Sequence, residues 1–354
     1  MQPVVSLLVP IYNVEKYLRK CLDSAKGQTL ENIEVICIND GSTDKSPSII
    51  REYMAEDSRF KIIDKENSGY GASMNQGLDL AQGKYIGILE SDDFFEPDAL
   101  EKLVGAAEEN DAQVAKANFW LYWSVPQEKN ELFELVTDKM AGHVADPHEE
   151  TDIFYSKPSI WSAIYRRDFL EENGIRFLET PGASFQDSAF NFKVWASASK
   201  VVLLTDPVLH YRQDNESSSV NSPAKVYCIC EEHAEMDRFL DAHPEYSALR
   251  PVKEGIKFDN YMWNYERLTE PLQRDFIKRF SSEFNDDKSK GYFNDALLGS
   301  WRVSQLRDIM LNPMYYHARR CAEKVQGGKY ARAKCYLKTG GFRSLVKACL
   351  RKVR

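Results

Sequence analysis

The sequence predicts an α/β protein with a doubly wound, mainly parallel sheet and a helical C-terminal extension. In the first hundred residues, short runs rich in Val and Ile alternate with segments whose apolar residues recur at helical spacing, and from residue 222 the pattern is predominantly helical. Such alternation is typical of β-α-β units with right-handed crossovers. With 354 residues, 43% of them hydrophobic and 28% charged, the chain has the composition of a globular protein.

The predicted strands of this part are apolar on both faces, as expected of strands that helices cover on both sides. They span residues 4–9, 34–38, 60–63 and 85–89. A continuous apolar stripe from Val14 to Ala25 predicts the first helix, with Asn13 as its N-cap. Ser46 is predicted to be the N-cap of the second helix, with Pro47 at the first helical position, and Pro97 opens a later helix.

From residue 111 to 221 the pattern is mixed. A helix is predicted at 187–198, and strand-like stretches occur at 113–123, 132–136, 201–204 and 208–211. No low-complexity linker interrupts the chain. We therefore expect residues 1–110 and 111–221 to be two halves of one domain, and residues 222–354 to form the helical extension.

Composition and charge exclude several classes of protein. No apolar stretch approaches the ~20 residues that cross a bilayer, and the N-terminus lacks the basic region and cleavage site of a signal peptide. Seven scattered cysteines without CxxC spacing argue against a disulfide framework or a zinc site, and favour the reducing cytoplasm. The net charge of −8 does not suggest a nucleic-acid partner.

The C-terminal tail differs in charge from the rest of the chain. Residues 319–354 carry a net charge of +11, which leaves −19 for the preceding residues. Among its basic residues, apolar ones recur at helical spacing, at Phe342, Leu345, Val346, Cys349, Leu350 and Val353. Such a basic amphipathic helix is expected to lie on an anionic membrane surface. The alternative is a helix docked on the acidic body of the protein.

Three polar loops follow predicted strands and hold the residues best suited to chemistry. They are Pro10–Asn13, Asn39–Asp44 and Glu90–Asp93. Because the carboxyl ends of parallel strands share one edge of the sheet, we expect a tyrosine and several carboxylates to line one cleft there. Clustered carboxylates need protons or a divalent cation to neutralise them, and oxygen ligands favour Mg²⁺ or Mn²⁺. Such a cation also suits a diphosphate leaving group.

Seven short motifs lie between residues 4 and 220: VPIYN, NDGSTD, ENSGYGASMNQGL, ESDDFFEP, WSAIYRRDFLEENGIRF, SFQDSAF and LHYR. In order and spacing they resemble those of family 2 glycosyltransferases, which are inverting enzymes of GT-A fold that use nucleotide-sugar donors. The resemblance implies that residues 1–110 bind the donor and residues 111–221 the acceptor.

The resemblance also implies roles for single residues of the donor site. Tyr12 would stack on uracil, Asp40 would bond the base or ribose, and Asp92 would bind the metal on the diphosphate, with His210 as a second metal ligand. Further nucleotide-binding residues would be Pro10, Asn67, Glu90, Ser91 and Arg212. From the residues alone, structural roles stay open: an Asx turn for Asp40, a polar loop for Asp92, and an exposed strand face for His210 and Arg212.

Asp187 is the candidate general base, because the resemblance implies that it deprotonates the acceptor hydroxyl that attacks the anomeric carbon. The alternative is a capping box formed by Ser184 and Asp187. In either role, the helix N-terminus should lower the pKa of the carboxyl. The acceptor is assigned to Trp161 and Gln186, although aromatic residues such as Trp161 and Tyr70 are more often part of a core.

Four residues depart from the family pattern: Glu90 stands in place of Asp, Gln186 of Glu, Met74 of Arg and Ala163 of Lys. We nevertheless expect an inverting enzyme that transfers a sugar from a UDP-sugar to a glycan or lipid-linked oligosaccharide in cell-surface polysaccharide synthesis, at the cytoplasmic face. A second copy of the chain is a further candidate partner. The alternative function is a catalytically impaired nucleotide-sugar-binding or scaffolding homologue. A nucleotidyltransferase is disfavoured because the expected glycine-rich, basic phosphate loop is missing.

Overall fold

The computed structural model describes residues 2–182, 185–215, 225–326 and 328–351. The chain divides into two compact units, Met1–Asn221 and Ser222–Arg354. The first is an α/β domain with one sheet, and the second is helical throughout its described elements. Among the described residues, none of the helices combines the length and apolar character needed to span a membrane. The predicted α/β fold with a helical extension is confirmed.

One sheet holds the strands of the first unit. In chain order they are β1 (Val5–Ile11), β2 (Ile33–Asp40), β3 (Phe60–Lys65), β4 (Tyr85–Ile88), β5 (Phe94–Phe95), β6 (Val114–Trp123), β7 (Lys129–Phe133), β8 (Val144–Ala145), β9 (Ala163–Arg166) and β10 (Val201–Arg212). Their order across the sheet is β3-β2-β1-β4-β9-β6-β10-β5, with β7 on β6 and β8 on β10. Strands β3, β2, β1 and β4 are parallel, as predicted. The antiparallel β9 joins them to β6 and β10, which are again parallel.

The parallel half of the sheet sets the position of the candidate site. Every residue of β1 and β2 is buried, as expected of strands covered on both faces. Strand β2 extends two residues beyond the predicted end, so Asn39 and Asp40 belong to it, and Ile11 pairs with Asn39 in register. The carboxyl ends of β1 and β2 therefore lie side by side at one edge.

The second half of the sheet differs from the prediction in three ways. The stretches 201–204 and 208–211 form the single strand β10, whose register against β6 shifts on both sides of Pro207. The strand predicted at 132–136 lies three residues earlier, as β7. Strands β5, β8 and β9 have two, two and four residues, too few for an apolar period to reveal them.

The helices of the first unit are α1 (Glu15–Lys26), α2 (Ser46–Glu56), α3 (Tyr70–Leu80), α4 (Ala99–Glu109), α5 (Arg167–Glu172) and α6 (Gln186–Ser197). Two predicted caps are wrong. Val14 occupies the N-cap of α1, while Asn13 has a φ of 50° and its Oδ1 accepts from Thr43 N–H at 2.8 Å. Ser46 is the first residue of α2, and its backbone N–H donates to Asp44 Oδ1. Both residues bond to loops instead of capping their own helices.

The second unit contains α7 (Cys228–Ala242), α8 (Arg250–Arg267), α9 (Glu270–Ser289), α10 (Asp295–Leu311), α11 (Pro313–Lys324) and α12 (Lys329–Arg351). Its core is aromatic, with fully buried Phe258, Tyr261, Phe276, Phe280 and Phe284. The predicted tail helix is the second half of α12, because Gly341, with a φ of 70°, interrupts that helix. Val353, the last residue of the predicted apolar stripe, lies outside the described residues.

Candidate active site

Asp40, at the end of β2, anchors the loop that follows β3. Its Oδ1 accepts from the Lys65 ammonium and, at 2.8 Å, from the Ser68 N–H, and its Oδ2 accepts from the Gly69 N–H at 3.0 Å. Asn67 donates from Nδ2 to the Asp40 carbonyl oxygen at 3.0 Å. Asp40 thus joins two strand-end loops through long-range contacts, which an Asx turn does not explain.

Tyr12 directly follows β1, which lies next to β2 in the sheet. Its side chain is 55% exposed, so its ring is accessible to a flat ligand. Asn13 links the first two loops, because its backbone N–H donates to Ser42 Oγ at 3.0 Å. Pro10 is buried within β1, opposite Ile38, so its side chain does not line the edge.

Glu90 lies two residues beyond the end of β4 and belongs to the same candidate site. Its Oε1 accepts from the Tyr70 hydroxyl at 2.6 Å, a contact that the predictions missed. Burial raises the pKa of Glu90 to about 8, and Asp92 and Asp187 act in the same direction, whereas the Tyr70 hydrogen bond lowers it. Much of Glu90 is therefore neutral at pH 7 in the free protein.

Two glycines let the segment 178–182 pack against the start of α3. A Cβ on Gly69 would lie 2.6 Å from the Thr180 carbonyl oxygen, and a Cβ on Gly71 would lie 2.1 Å from that of Leu178. The Tyr70 N–H donates to the carbonyl oxygen of Gly182 at 3.0 Å. Since neither glycine can carry a side chain without displacing backbone, their identity fixes this contact.

Asp92 and Asp93 occupy a turn that the end of β10 secures. The Arg212 N–H donates to Asp93 Oδ1 at 2.8 Å, and the Arg212 Nε donates to the Asp92 carbonyl oxygen at 2.9 Å. Asp93 is fully buried, and its Oδ2 has no hydrogen-bond partner among the described residues. Burial and the charge of Asp92 hold the pKa of Asp93 well above its usual value. Asp92 itself is half-buried, with Oδ2 accepting from Asn215 Nδ2 at 2.8 Å.

Asp187 lies in the first turn of α6, and its charge helps to raise the pKa of Glu90. The pKa of Asp187 is raised to about 6 by burial, although Lys157 and the Ser188 N–H act to lower it. The predicted lowering of this pKa by the helix N-terminus is therefore wrong in direction, because desolvation outweighs the dipole. The predicted Ser184 cap lies outside the described residues, and Phe185, with a φ of 63°, precedes the helix.

Tyr211 shows that these acidic groups converge. Burial raises the pKa of its hydroxyl, and all four carboxylates act in the same direction: Asp93, Asp92, Asp187 and Glu90. The Lys157 ammonium lies 4.7 Å from the Tyr211 ring centroid. Desolvation lowers the pKa of Lys157, and the negative charges of Asp187 and Asp93 oppose that change. Carboxylates from the loop after β4 and from α6 therefore lie near Tyr211 of β10, with the Lys157 cation close to the same ring.

A family model described as glycosyl transferase family 2 matches residues 6–189, which hold the strand-end loops, the Asp92–Asp93 turn and Asp187. The chain belongs to this family. The family 2 assignment confirms the resemblance of its motifs, and with it a glycosyltransferase.

Several bacterial relatives carry glycosyltransferase names. EpsH of Bacillus subtilis is 35% identical over 212 residues, which cover 59% of this chain and 61% of EpsH. EpsJ of the same organism is 32% identical over 230 residues, covering 64% and 65%. YibD of Escherichia coli is 29% identical over 330 residues, covering 86% and 93%. The matched region thus spans less than two thirds of the length of EpsH and EpsJ.

Solved structures show the same fold. Residues 1–349 of Staphylococcus aureus TarS, in complex with UDP-GlcNAc, superpose with a TM-score of 0.52 at 21% identity, covering 77% of this chain and 83% of that one. Together with the sheet order, this likeness supports the GT-A fold of the family 2 domain.

The side chains of this family 2 site provide only part of the ligands that a divalent cation needs. Within the described ranges, no group of three or more His, Cys, Asp or Glu side chains is arranged to hold a metal alone. Mg²⁺ commonly takes one or two carboxylates and completes its shell with substrate phosphates and water. The half-buried carboxylate of Asp92 suits that mode.

His210 does not join this carboxylate in the structure. Its Nδ1 and Nε2 lie 2.9 Å from Asn130 Oδ1 and 3.0 Å from Glu96 Oε1, and its ring stacks on Phe94. With both ring nitrogens occupied, the predicted role of His210 as a metal ligand does not fit.

Three further site predictions meet a different environment. Arg212 is buried, with its guanidinium carbon 4.4 Å from the Tyr17 ring centroid, so it does not lie on an exposed strand face. Its contacts instead support the Asp92–Asp93 turn. Trp161 is buried and stacked on Tyr211, so its ring is part of the core. Gln186 is buried and donates from Nε2 to Thr180 Oγ1 at 2.8 Å, inside the protein. Ser91 lies half-buried in the turn.

Sequence reasoning missed Lys65 and Lys157 and understated Tyr70 and Tyr211. Lys65 ends β3 at the same edge as Asp40, so the strand-end rule had the information to identify it. Tyr211 lies within the LHYR motif. Lys157 precedes a 3-10 helix, Ile160–Ser162, and no motif marks it.

Proposed function

We propose that this family 2 glycosyltransferase is an inverting enzyme that transfers a sugar from a UDP-sugar to a hydroxyl of a glycan or lipid-linked oligosaccharide in cell-surface polysaccharide synthesis. The observation that carries the proposal is the convergence of Glu90, Asp92, Asp93 and Asp187 around Tyr211. UDP is proposed because TarS, which shares the fold, is described in complex with UDP-GlcNAc. Polysaccharide synthesis is supported by a 44% identical stretch of 99 residues in a chondroitin synthase of Escherichia coli.

The donor half, residues 1–110, would bind the nucleotide through its strand-end loops. The exposed ring of Tyr12 supports a stacking role, and Asp40 would hold the loop containing Asn67 against the ribose. Glu90 would accept a ribose hydroxyl when ionised. Negative charge on the departing diphosphate would be neutralised by Mn²⁺ or Mg²⁺ held by Asp92.

Asp187 would act as the general base. With a pKa of about 6 it is mostly ionised at neutral pH, as a base must be, yet basic enough to accept a proton. It would take the proton of the acceptor hydroxyl while that oxygen bonds to the anomeric carbon and the bond to the nucleotide breaks on the opposite side. One carboxylate is sufficient, because inversion requires no covalent glycosyl-enzyme intermediate.

A screen of UDP-sugars for hydrolysis with Mn²⁺ tests the proposal without knowledge of the acceptor. We expect turnover with at least one UDP-sugar, lost on chelation. Asp92→Asn should weaken metal-dependent donor binding, whereas Asp187→Asn should spare binding and lower the transfer rate by ~10²–10⁴-fold. Transfer by Asp187→Asn at the parental rate would show that the base is another group.

The second candidate function is a homologue that binds nucleotide sugars with impaired catalysis. The inward position of Gln186, whose amide bonds Thr180 rather than facing a substrate, favours it. Nucleotide binding without turnover, for every donor and across an acceptor panel, would support this candidate. Mn²⁺-dependent turnover that disappears in Asp187→Asn would reject it.

We further propose that the enzyme works in the cytoplasm, peripherally on the membrane that carries its acceptor. All seven cysteines lie among the described residues and are free thiols, in keeping with a reducing compartment. Residues 111–221 would form the acceptor half of the site. A second copy of the chain stays a candidate partner, to be tested by the mass of the protein in solution.

A further inference from the structure

Helix α12 leaves its large apolar side chains in solvent. Phe342, Val346 and Leu350 are 72%, 40% and 65% exposed, and their spacing of four residues places them in one stripe along the helix. Tyr330 and Leu337, earlier in α12, are also exposed. An ordinary surface helix buries such a stripe.

The side of α12 that packs against α11 combines Tyr336, which stacks on Tyr315, with small polar residues. Thr339 and Ser344 are buried, and their hydroxyls bond the carbonyl oxygens of Cys335 and Gly340 within the helix. A Cβ on Gly340 would lie 2.7 Å from the Ala318 Cβ of α11, so the two helices approach closely there. The helix therefore docks on α11 through Tyr336 and its small residues, and the stripe of Phe342, Val346 and Leu350 is left without a partner among the described residues of this unit.

The charge of α12 has one sign. The helix contains no acidic residue and seven basic ones: Lys329, Arg332, Lys334, Lys338, Arg343, Lys347 and Arg351. From Lys329 to Lys347, these side chains form no ion pair with the described residues of the second unit, although the Lys347 ammonium lies 4.9 Å from the Tyr315 ring centroid. Within the second unit, the basic side chains of α12 from Lys329 to Lys347 are therefore left without a carboxylate partner among its described residues.

We propose that this face of α12, the stripe of Phe342, Val346 and Leu350 with Arg343 and Lys347 beside it, binds the surface of an anionic lipid bilayer. An anionic bilayer offers an apolar layer for the stripe and phosphates for the basic side chains at once. Three side chains in one row cover far less than the ~800 Å² per partner of a stable protein interface, which disfavours a second copy of the chain. This proposal does not depend on the proposed transfer reaction.

The test is sedimentation of the full chain with vesicles of phosphatidylcholine alone or mixed equally with phosphatidylglycerol. We expect binding only to the anionic vesicles, weakened by salt. The double variant Phe342→Ser with Leu350→Ser should lower the partition coefficient at least about tenfold. The matched control is Leu80→Ser with Leu132→Ser, which removes two exposed leucines from the first unit and should bind as the parent does.

A charge variant, Lys338→Gln with Arg343→Gln, should weaken binding to the anionic vesicles and flatten its salt dependence. Equal binding by the parent and the Phe342/Leu350 variant, or no preference for phosphatidylglycerol, would overturn the proposal. So would a parent dimer in light scattering that the Phe342/Leu350 variant converts to a monomer, because the stripe would then bind a second copy. UDP binding by this variant, measured without vesicles, should equal that of the parent, so loss of transferase function is distinguished from loss of lipid binding.

Discussion

Replacing Tyr70 with Phe should weaken UDP binding near neutral pH and shift the pH at which UDP binds well to a more alkaline value. The change removes a single contact, the 2.6 Å hydrogen bond to Glu90 Oε1, while the ring can keep its edge-on packing against Phe177. That bond lowers the pKa of Glu90, which stands at about 8 because burial and the neighbouring carboxylates raise it. A hydrogen bond to a charged group contributes ~1.5–3 kcal/mol, and a pKa unit corresponds to ~1.4 kcal/mol. The pKa of Glu90 should therefore rise by ~1–2 units.

This shift changes the ionised fraction of Glu90 where the enzyme works. At pH 7.5 a carboxyl with a pKa of about 8 is ~25% ionised, and the shifted group is at most ~3% ionised. If ionised Glu90 accepts a ribose hydroxyl, the affinity of Tyr70→Phe for UDP at pH 7.5 should fall about tenfold and recover toward pH 9.5. Isothermal titration calorimetry across this range measures both effects.

The matched control is Tyr53→Phe. The Tyr53 hydroxyl donates to Asp23 Oδ1, also at 2.6 Å, but this pair lies outside the strand-end loops. This variant should leave the pH profile of UDP binding unchanged. Glu90→Gln should remove the pH dependence across pH 6.5–9.5. If the midpoint of the pH profile of UDP binding stays in place or moves to lower pH in Tyr70→Phe, the reasoning about Glu90 is refuted.

Three further predictions concern the base and the packing beneath it. Transfer should fall about tenfold from pH 7 to pH 5, because protonation of Asp187, with its pKa of about 6, removes the base; a flat profile there excludes it. Lys157→Met removes a charge that lowers the Asp187 pKa, so this acid limb should move to higher pH, whereas Lys129→Met, in exposed β7, should not move it. Gly71→Ala should lower the free energy of unfolding, measured in urea, by ~1–3 kcal/mol, because the added Cβ meets the Leu178 backbone. The control Gly105→Ala, which has open space around the added Cβ, should raise the free energy of unfolding by ~1 kcal/mol. Equal effects of the two substitutions would contradict the packing argument.

The parallel half of the fold was predictable because its signals are local and repeated. Strands β1 and β2 are apolar on both faces, and the loops after them carry the polar residues that lie at one edge. The antiparallel strand β9 was not predictable in this way. Its four residues are too few for a period, and its pairing with both β4 and β6 is set by distant parts of the chain.

The acidic residues of the candidate site could be selected from the sequence, but the side chains that contact or influence them could not. Asp92 and Asp187 were identified by motif, whereas the Tyr70 contact and the influence of Lys157 arise only when segments far apart in sequence pack together. Burial reversed one expectation outright, the pKa of Asp187, because a sequence pattern gives the helix dipole but not the desolvation that opposes it.

The tight passage of the backbone at Gly69 has a consequence for attempts to redesign this enzyme. The loop that Asp40 anchors touches Gly182, and Gln186, the residue just before Asp187, reaches back to Thr180. Libraries that vary this loop to accept a new sugar nucleotide will shift the helix that carries Asp187 as well. Donor preference and acceptor turnover should therefore drift together, and selections on one need to score the other.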